Sequence, residues 1–289
     1  KHERNGRIHG DVITNGAVTG RMTHNTPNLN VPSIDEDDEE EILYGEEGGW
    51  GYECRDCFTH REGWTLVGCD ASGLEACMLA HYVALWDGGK FAQLILNAGK
   101  GGIHSVNQKM AGLATRGEAK TFYFKFVYGG RTNPEHEKKL YAACPALRDL
   151  KEWCISQAET NGMVRGLDNR PLPIRKRHLY GTERTRDEKR ARMWGVSVNT
   201  LLQSAGAVVM KKALCIFYDK MVAEFGPHGE RWGLCANVHD EQQWECEPDI
   251  AKQSGQMFVD SIRESGEHFR LNIQLDGEYK YGRSWSVTH

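Results

Sequence analysis

Two apolar runs that close on an aspartate do most to limit what this chain can fold into. WTLVGCD (64–70) reads as a buried strand ending at Asp70, and GLCANVHDEQQWECEP (233–248) reads as two short strands joined at His239-Asp240. Helical patterns surround them, at SGLEACMLAHYVALW (72–86), 116–129, 145–162, 199–226 and 251–269, with a last strand at LNIQLDGEYKYG (271–282). The first 34 residues are rich in Gly, Asn, Thr and Pro and read as turns with short strands. Helices and strands therefore mix without regular alternation, which predicts an α+β fold rather than a doubly wound parallel sheet. Ser72 followed by Glu75 matches a capping box at the start of the first helix.

The 289 residues suffice for one large domain or two ordinary ones, and 39% hydrophobic content is enough for a sizeable core. No run approaches the roughly 18 apolar residues of a membrane span, and no signal peptide opens the chain, so no membrane partner is expected. Nine irregularly spaced cysteines read as reduced thiols of an intracellular protein, not a disulfide scaffold. The chain opens on Lys1 rather than Met, consistent with a piece of a longer protein. The net charge of -4 is misleading, because nine acidic residues and no basic one lie between Asp35 and Glu47. Such a run reads as a solvated loop. From Arg165 to Arg192 ten Lys/Arg face four Asp/Glu, either a solvated surface or a footprint for a polyanion.

In RGEAKTFYFKFVYGG (116–130), Arg116, Lys120, Phe124 and Tyr128 recur four apart. Each step of four drifts about 40° around a helix, so the four make a slowly winding stripe on the order of 18 Å long. The cations occupy the N-terminal turns, where the helix end itself favours anions, and the aromatics the C-terminal ones. A nucleoside triphosphate fits that order. An amphipathic helix with chance charges and core aromatics fits it as well. Asp70 and Asp240, 170 residues apart, read either as turn residues or as carboxylates for Mg²⁺. Cys54 and Cys57 form a lone CxxC without the second pair that a structural zinc site needs.

DASGLEACMLAHY (70–82), RGEAKTFYFKFVYGG and NVHDEQQWEC (237–246) resemble motifs A, B and C of family A DNA polymerases, most nearly the replicative enzymes of short-tailed bacteriophages. GRIHGDVITNGAVTGRMTHNTPNL (6–29) and NTLLQSAGA (199–207) are similar to the same branch, in the same order. The resemblance implies a polymerase palm, an antiparallel sheet backed by helices, with a mainly helical fingers subdomain and without thumb or exonuclease domains. Residues 1–87 and 199–289 would form the palm and 88–198 the fingers.

It also implies two-metal nucleotidyl transfer. Asp70, Asp240 and the Ala71 carbonyl match ligands of two Mg²⁺ ions. Arg116, Lys120 and His104 match triphosphate ligands, with Lys120 also a proton donor to pyrophosphate. Glu75 matches a residue that closes the pocket against a ribose 2′-hydroxyl. Phe124 matches the sugar- and base-side ring, and Tyr128 the ring at the templating position. Arg21, Asn199, Gln203 and His239 match minor-groove readers of the primer–template, and Arg55 a phosphate contact. The groove offers acceptors common to correct pairs, so such donors test pair shape rather than sequence.

The implied partners are primer–template DNA, dNTPs and a separate chain supplying thumb and exonuclease functions; whether a processivity factor binds stays open. The implied setting is the cytoplasm of a phage-infected bacterium. Phe124 stands where close phage relatives tend to carry Tyr, Lys125 where they carry a small residue, and the acidic run and the 176–192 segment look longer than theirs. Two other readings stay open: a single-subunit RNA polymerase, opposed by Glu75 and by HDE in place of HDS, and a non-catalytic DNA-binding fragment.

Overall fold

The computed structural model describes residues 3–24, 42–98, 102–174 and 186–289. Most of the acidic run and the core of the basic segment lie outside them. Four two-residue strands come first: β1 (Glu3–Arg4), β2 (Arg7–Ile8), β3 (Val12–Ile13) and β4 (Thr23–His24). Then follow α1 (Gly51–Asp56), β5 (Thr65–Ala71), α2 (Leu74–Asp87), α3 (Lys90–Asn97), α4 (Gly102–Ala111), α5 (Arg116–Val127), α6 (Pro134–Ala143) and α7 (Ala146–Asn161). The hairpin β6 (Met163–Arg165) and β7 (Pro171–Pro173) precedes the 40-residue α8 (Arg186–Phe225). Strands β8 (Trp232–Val238) and β9 (Glu241–Cys246), α9 (Ala251–His268), β10 (Gly277–Gly282) and the short α10 (Trp285–Thr288) complete the order.

The chain divides into two compact units, Lys1–Ser72 with Val209–Ser265 and Leu275–His289, and Gly73–Val208 with Gly266–Gln274. The motif-bearing helix α2 thus belongs to the second unit rather than the first. The first unit is built on a four-stranded antiparallel sheet, ordered β10-β5-β9-β8. Alternation along β9 sends Gln242, Trp244 and Cys246 to one face and Glu241, Gln243 and Glu245 to the other. On the first face Phe217 of α8 and Phe258 of α9 enclose Trp244, with ring centroids 4.9–5.6 Å apart. All three rings are fully buried, and an aromatic cluster of this size dominates the local burial energy.

The opposite face is buried although it is polar. Glu245 accepts from the Arg61 side chain at 2.5 and 2.8 Å and from Arg7 at 2.6 Å, so its charge is paired. Over Gly68 the chain passes so close that a Cβ would stand 2.2 Å from both Gln243 Nε2 and the Thr288 carbonyl oxygen. Asp56 fixes that last segment by accepting from the hydroxyls of Ser284 (2.6 Å) and Ser286 (2.7 Å).

The second unit is helical. Its core takes Met78 and Leu79 from α2, Phe91 from α3, Phe122 and Phe126 from α5, Leu147 and Leu150 from α7, and Trp194 from α8. Trp194 Nε1 donates to the Phe126 carbonyl at 3.0 Å, and a Cβ on Gly195 would meet the Tyr128 carbonyl oxygen at 2.3 Å. Only glycine admits so close an approach of α8 to the C-terminal end of α5. The Gly266–Gln274 segment joins this unit through Asn272, whose N–H donates to His81 Nδ1 at 3.2 Å.

Four expectations are corrected. The last strand covers only 277–282 of the expected 271–282, and α8 starts at Arg186 rather than 199. No capping box opens α2: its N-cap is Gly73, in the left-handed region at φ 56°, with no side-chain cap. The box lies instead on α5, where Thr115 and Glu118 cap each other. Finally, Arg192–Phe225 is long and apolar enough to cross a membrane by length and composition, but most of it is buried inside the protein, so its apolar surface is core.

Candidate active site

The candidate residues divide between the units, and each half has its own geometry. In the first unit Asp70 is the penultimate residue of β5, and Asp240 lies in the two-residue connection between β8 and β9. The Ala71 N–H donates to the Asp240 carbonyl at 3.1 Å, and Asp70 pairs in register with Glu241. These two backbone constraints bring the carboxylates to neighbouring strand ends despite their separation in sequence. His239, exposed on the same turn, is held at φ 59°, an uncommon conformation for a residue other than glycine.

Three carboxylates crowd Asp70: Asp240, Glu241 and, from the register partner on β10, Glu278. Burial among protein atoms and then these like charges push its pKa up to about 7, with Lys280 opposing. The side chain keeps contact with solvent, which screens part of this, but the direction stands on the charge arrangement. Clustered carboxylates short of counter-charge suit a hard cation, which prefers oxygen ligands. Mg²⁺ keeps several waters and commonly takes one or two carboxylates plus substrate phosphates. Among the described residues no group of three or more His, Cys, Asp or Glu side chains is close enough to hold a metal ion by itself.

Glu241 differs from Asp70. Burial raises its pKa, but contacts to His289 Nδ1 (2.9 Å), Trp285 Nε1 (2.5 Å) and Gln243 Nε2 (2.7 Å) outweigh that and hold it below the usual carboxylate range. Arg55, expected at a phosphate, completes this cluster: it is 2% exposed, with its guanidinium 4.6 Å from the Trp285 ring centroid and 3.8 Å from Glu241. Burial lowers its pKa and Glu241 restores part. Sequence reasoning missed Trp285 and His289 because the contacts span more than forty residues. The signal that existed was the polar face of EQQWEC, which alternates with Trp244.

The expected minor-groove readers also divide. Partial burial of the exposed His239 ring, followed by the nearby charge of Arg21, depresses its pKa, with Asp240 opposing. Arg21 and His239 thus share the first unit. Asn199 and Gln203 lie one turn apart on α8 in the second unit, both half-buried.

The second unit carries the stripe as one helix. Arg116 is its first residue, Lys120 is exposed, and Phe124 and Tyr128 are each 37% exposed. The two rings stack at 16°, with centroids 5.9 Å apart. Tyr128 is the C-cap, just beyond the last helical residue. Its hydroxyl lies 2.5 and 2.6 Å from the two oxygens of Glu75 and donates to that carboxylate. His104, on α4, lies 6.0 Å ring to ring from Phe124. Glu75, Tyr128, Phe124 and His104 are thus linked by contact, and Arg116 and Lys120 lie on the same α5. Cys54 and Cys57 are exposed free thiols.

A sheet with two carboxylates at adjoining strand ends, taken with a helix bearing cations and then aromatics, defines a palm-and-fingers polymerase fold. The solved polymerase domain of Pol1 from M. smegmatis, in complex with DNA primer-template and dNTP, has the same fold, with a TM-score of 0.78 over 99% of this chain and 49% of that one at 21% identity. The sequence model for DNA polymerase family A matches residues 1–287. The DNA-directed DNA polymerases of Enterobacteria phage T3 and Escherichia phage T7 are 34% and 33% identical over 98% of this chain. The chain belongs to DNA polymerase family A. It spans 41% of the length of these two relatives.

Proposed function

We propose that this chain carries out template-directed DNA synthesis, adding dNTPs to a primer 3′-hydroxyl, as part of a phage-type replication enzyme working in the cytoplasm of a bacterial host. The observation that carries this reading is the Ala71–Asp240 hydrogen bond, which holds two carboxylates together beside a strand whose own acid is under like-charge pressure.

Asp70, Asp240 and the Ala71 carbonyl would bind two Mg²⁺ ions. Bound there, these would lower the pKa of the primer hydroxyl and neutralise charge on the leaving pyrophosphate. The chain's own groups do the rest. Arg116, Lys120 and His104 hold the triphosphate, and Lys120 protonates pyrophosphate as the 3′-oxygen bonds to the α-phosphorus. Phe124 stacks on the sugar and base. Glu75 occupies the space of a ribose 2′-hydroxyl, and Tyr128 holds Glu75 while covering the template position. Arg21, His239, Asn199 and Gln203 donate to minor-groove acceptors.

Primer extension in Mg²⁺ tests this. The chain should extend with dNTPs and not with rNTPs, and Asp240→Ala should abolish the signal. Equal use of rNTPs would favour an RNA polymerase. DNA binding without extension would leave a non-catalytic fragment.

A further inference from the structure

One polar group next to the stripe has no role in the scheme above. Tyr123 lies on α5 one residue before Phe124 and is 4% exposed. Its ring is set edge-on to both His104 (centroids 5.7 Å apart, 75°) and Phe124 (5.6 Å, 66°). Its hydroxyl is buried and has no hydrogen-bond partner. A buried hydroxyl left unpaired costs stability, so a state that pairs it is favoured by that cost. After burial itself, the charges that bear most on this hydroxyl are Glu75 and then Tyr128, and together they keep it protonated far beyond neutral pH, a permanent donor.

Geometry points to the acceptor: Tyr123 packs edge-on to Phe124, Phe124 stacks on Tyr128, and the Tyr128 hydroxyl donates to Glu75. Tyr128 donates to that carboxylate from a position 37% exposed, within reach of a ligand, whereas Tyr123 is buried in the core. We propose that Tyr123 is a positioning residue for sugar selection: its buried hydroxyl holds the Glu75 carboxylate, directly or through one water, whenever Tyr128 lets it go. The inference rests on the reading of Glu75 as the group facing the sugar. It assigns the two tyrosines overlapping duties, one mobile and one fixed.

Overlap has a specific signature. Tyr123→Phe removes only the oxygen and fills the same space. Its melting temperature should be unchanged or higher, because a buried unpaired hydroxyl is gone. Discrimination between dATP and ATP, measured as the ratio of equilibrium affinities with Mg²⁺ and primer–template, should fall modestly in Tyr123→Phe and in Tyr128→Phe. In the double variant it should fall at least roughly ten-fold below the product of the single effects, about one charge-assisted hydrogen bond. Multiplicative single effects, or a Tyr123→Phe protein that melts lower with discrimination intact, would overturn the inference alone. If the unsubstituted chain binds no nucleotide or shows no preference for dATP, the reading of the site itself falls, and this inference with it.

Discussion

Replacing Glu241 by Gln changes one atom and tests whether the buried cluster under the β8–β9 turn is electrostatic. In the native protein Arg55 is 2% exposed, its Nε and Nη1 groups have no hydrogen-bond partner, and Glu241 at 3.8 Å is its counter-charge. Glu241→Gln keeps the shape but leaves a buried guanidinium uncompensated. Breaking a buried pair on one side costs about 3–5 kcal/mol, whereas replacing both sides by uncharged groups of similar size is often neutral. Glu241→Gln should therefore lower the melting temperature by on the order of 10 °C, at roughly 2–4 °C per kcal/mol for a chain of this size. Arg55→Met in the same background should recover most of the loss. Calorimetry or denaturant unfolding of the two single variants and the double variant closes the cycle, with a coupling energy of at least about 2 kcal/mol expected. Additive losses, or a Glu241→Gln protein less than about 1 kcal/mol destabilised, would refute the assignment of Arg55 as counter-charge. The variant also removes one of the like charges acting on Asp70. The acid limb of its pH–rate profile should move to lower pH even where the protein stays folded.

Two further outcomes follow from the same geometry. Asp70 has its folded pKa raised from 3.8 to about 7, so the stability it contributes is fully present below pH 3.8 and is lost as pH rises through 7. Asp70→Asn should then melt higher than the native chain at pH 8 but not at pH 3, should abolish primer extension, and should remove the stabilisation that Mg²⁺ gives the native chain; equal melting at both pH values would count against the like-charge account. Phe124 offers no hydroxyl toward the sugar, so the native chain should discriminate strongly against dideoxynucleotides and Phe124→Tyr should relax this by roughly 10–100-fold, the range of one hydrogen bond to a charged group; equal chain-terminator incorporation by both proteins sinks the idea.

How much of this was legible follows from the range of each interaction. WTLVGCD announced its strand, and HD between two apolar runs announced its hairpin, because strand alternation and a two-residue turn are local signals. The stripe on α5 was readable for the same reason: helical spacing places Arg116, Lys120, Phe124 and Tyr128 in line whatever surrounds them. The capping box was misread although its signal was equally local. Ser72-Glu75 and Thr115-Glu118 both have the right spacing, but a glycine follows Ser72, and the chain uses Gly73 to enter the helix in the left-handed region. That freed Glu75 to take the Tyr128 hydroxyl. The burial of Arg55 was not legible, because nothing in ECRDCF tells which side of a one-turn-and-a-half helix faces the core.

The sequence by itself determined the chemistry on offer: two aspartates at strand ends, a cation-then-aromatic helix, and a mixed α+β order. Those are properties of residues near one another along the chain, where backbone geometry fixes the outcome. Tertiary structure alone decided that Ala71 bonds to Asp240, that Glu278 joins the charges around Asp70, and that Arg55, Trp285 and His289 surround Glu241. Each of these pairs residues far apart in sequence, and their meeting depends on sheet register and on packing over Gly68, which no local pattern encodes.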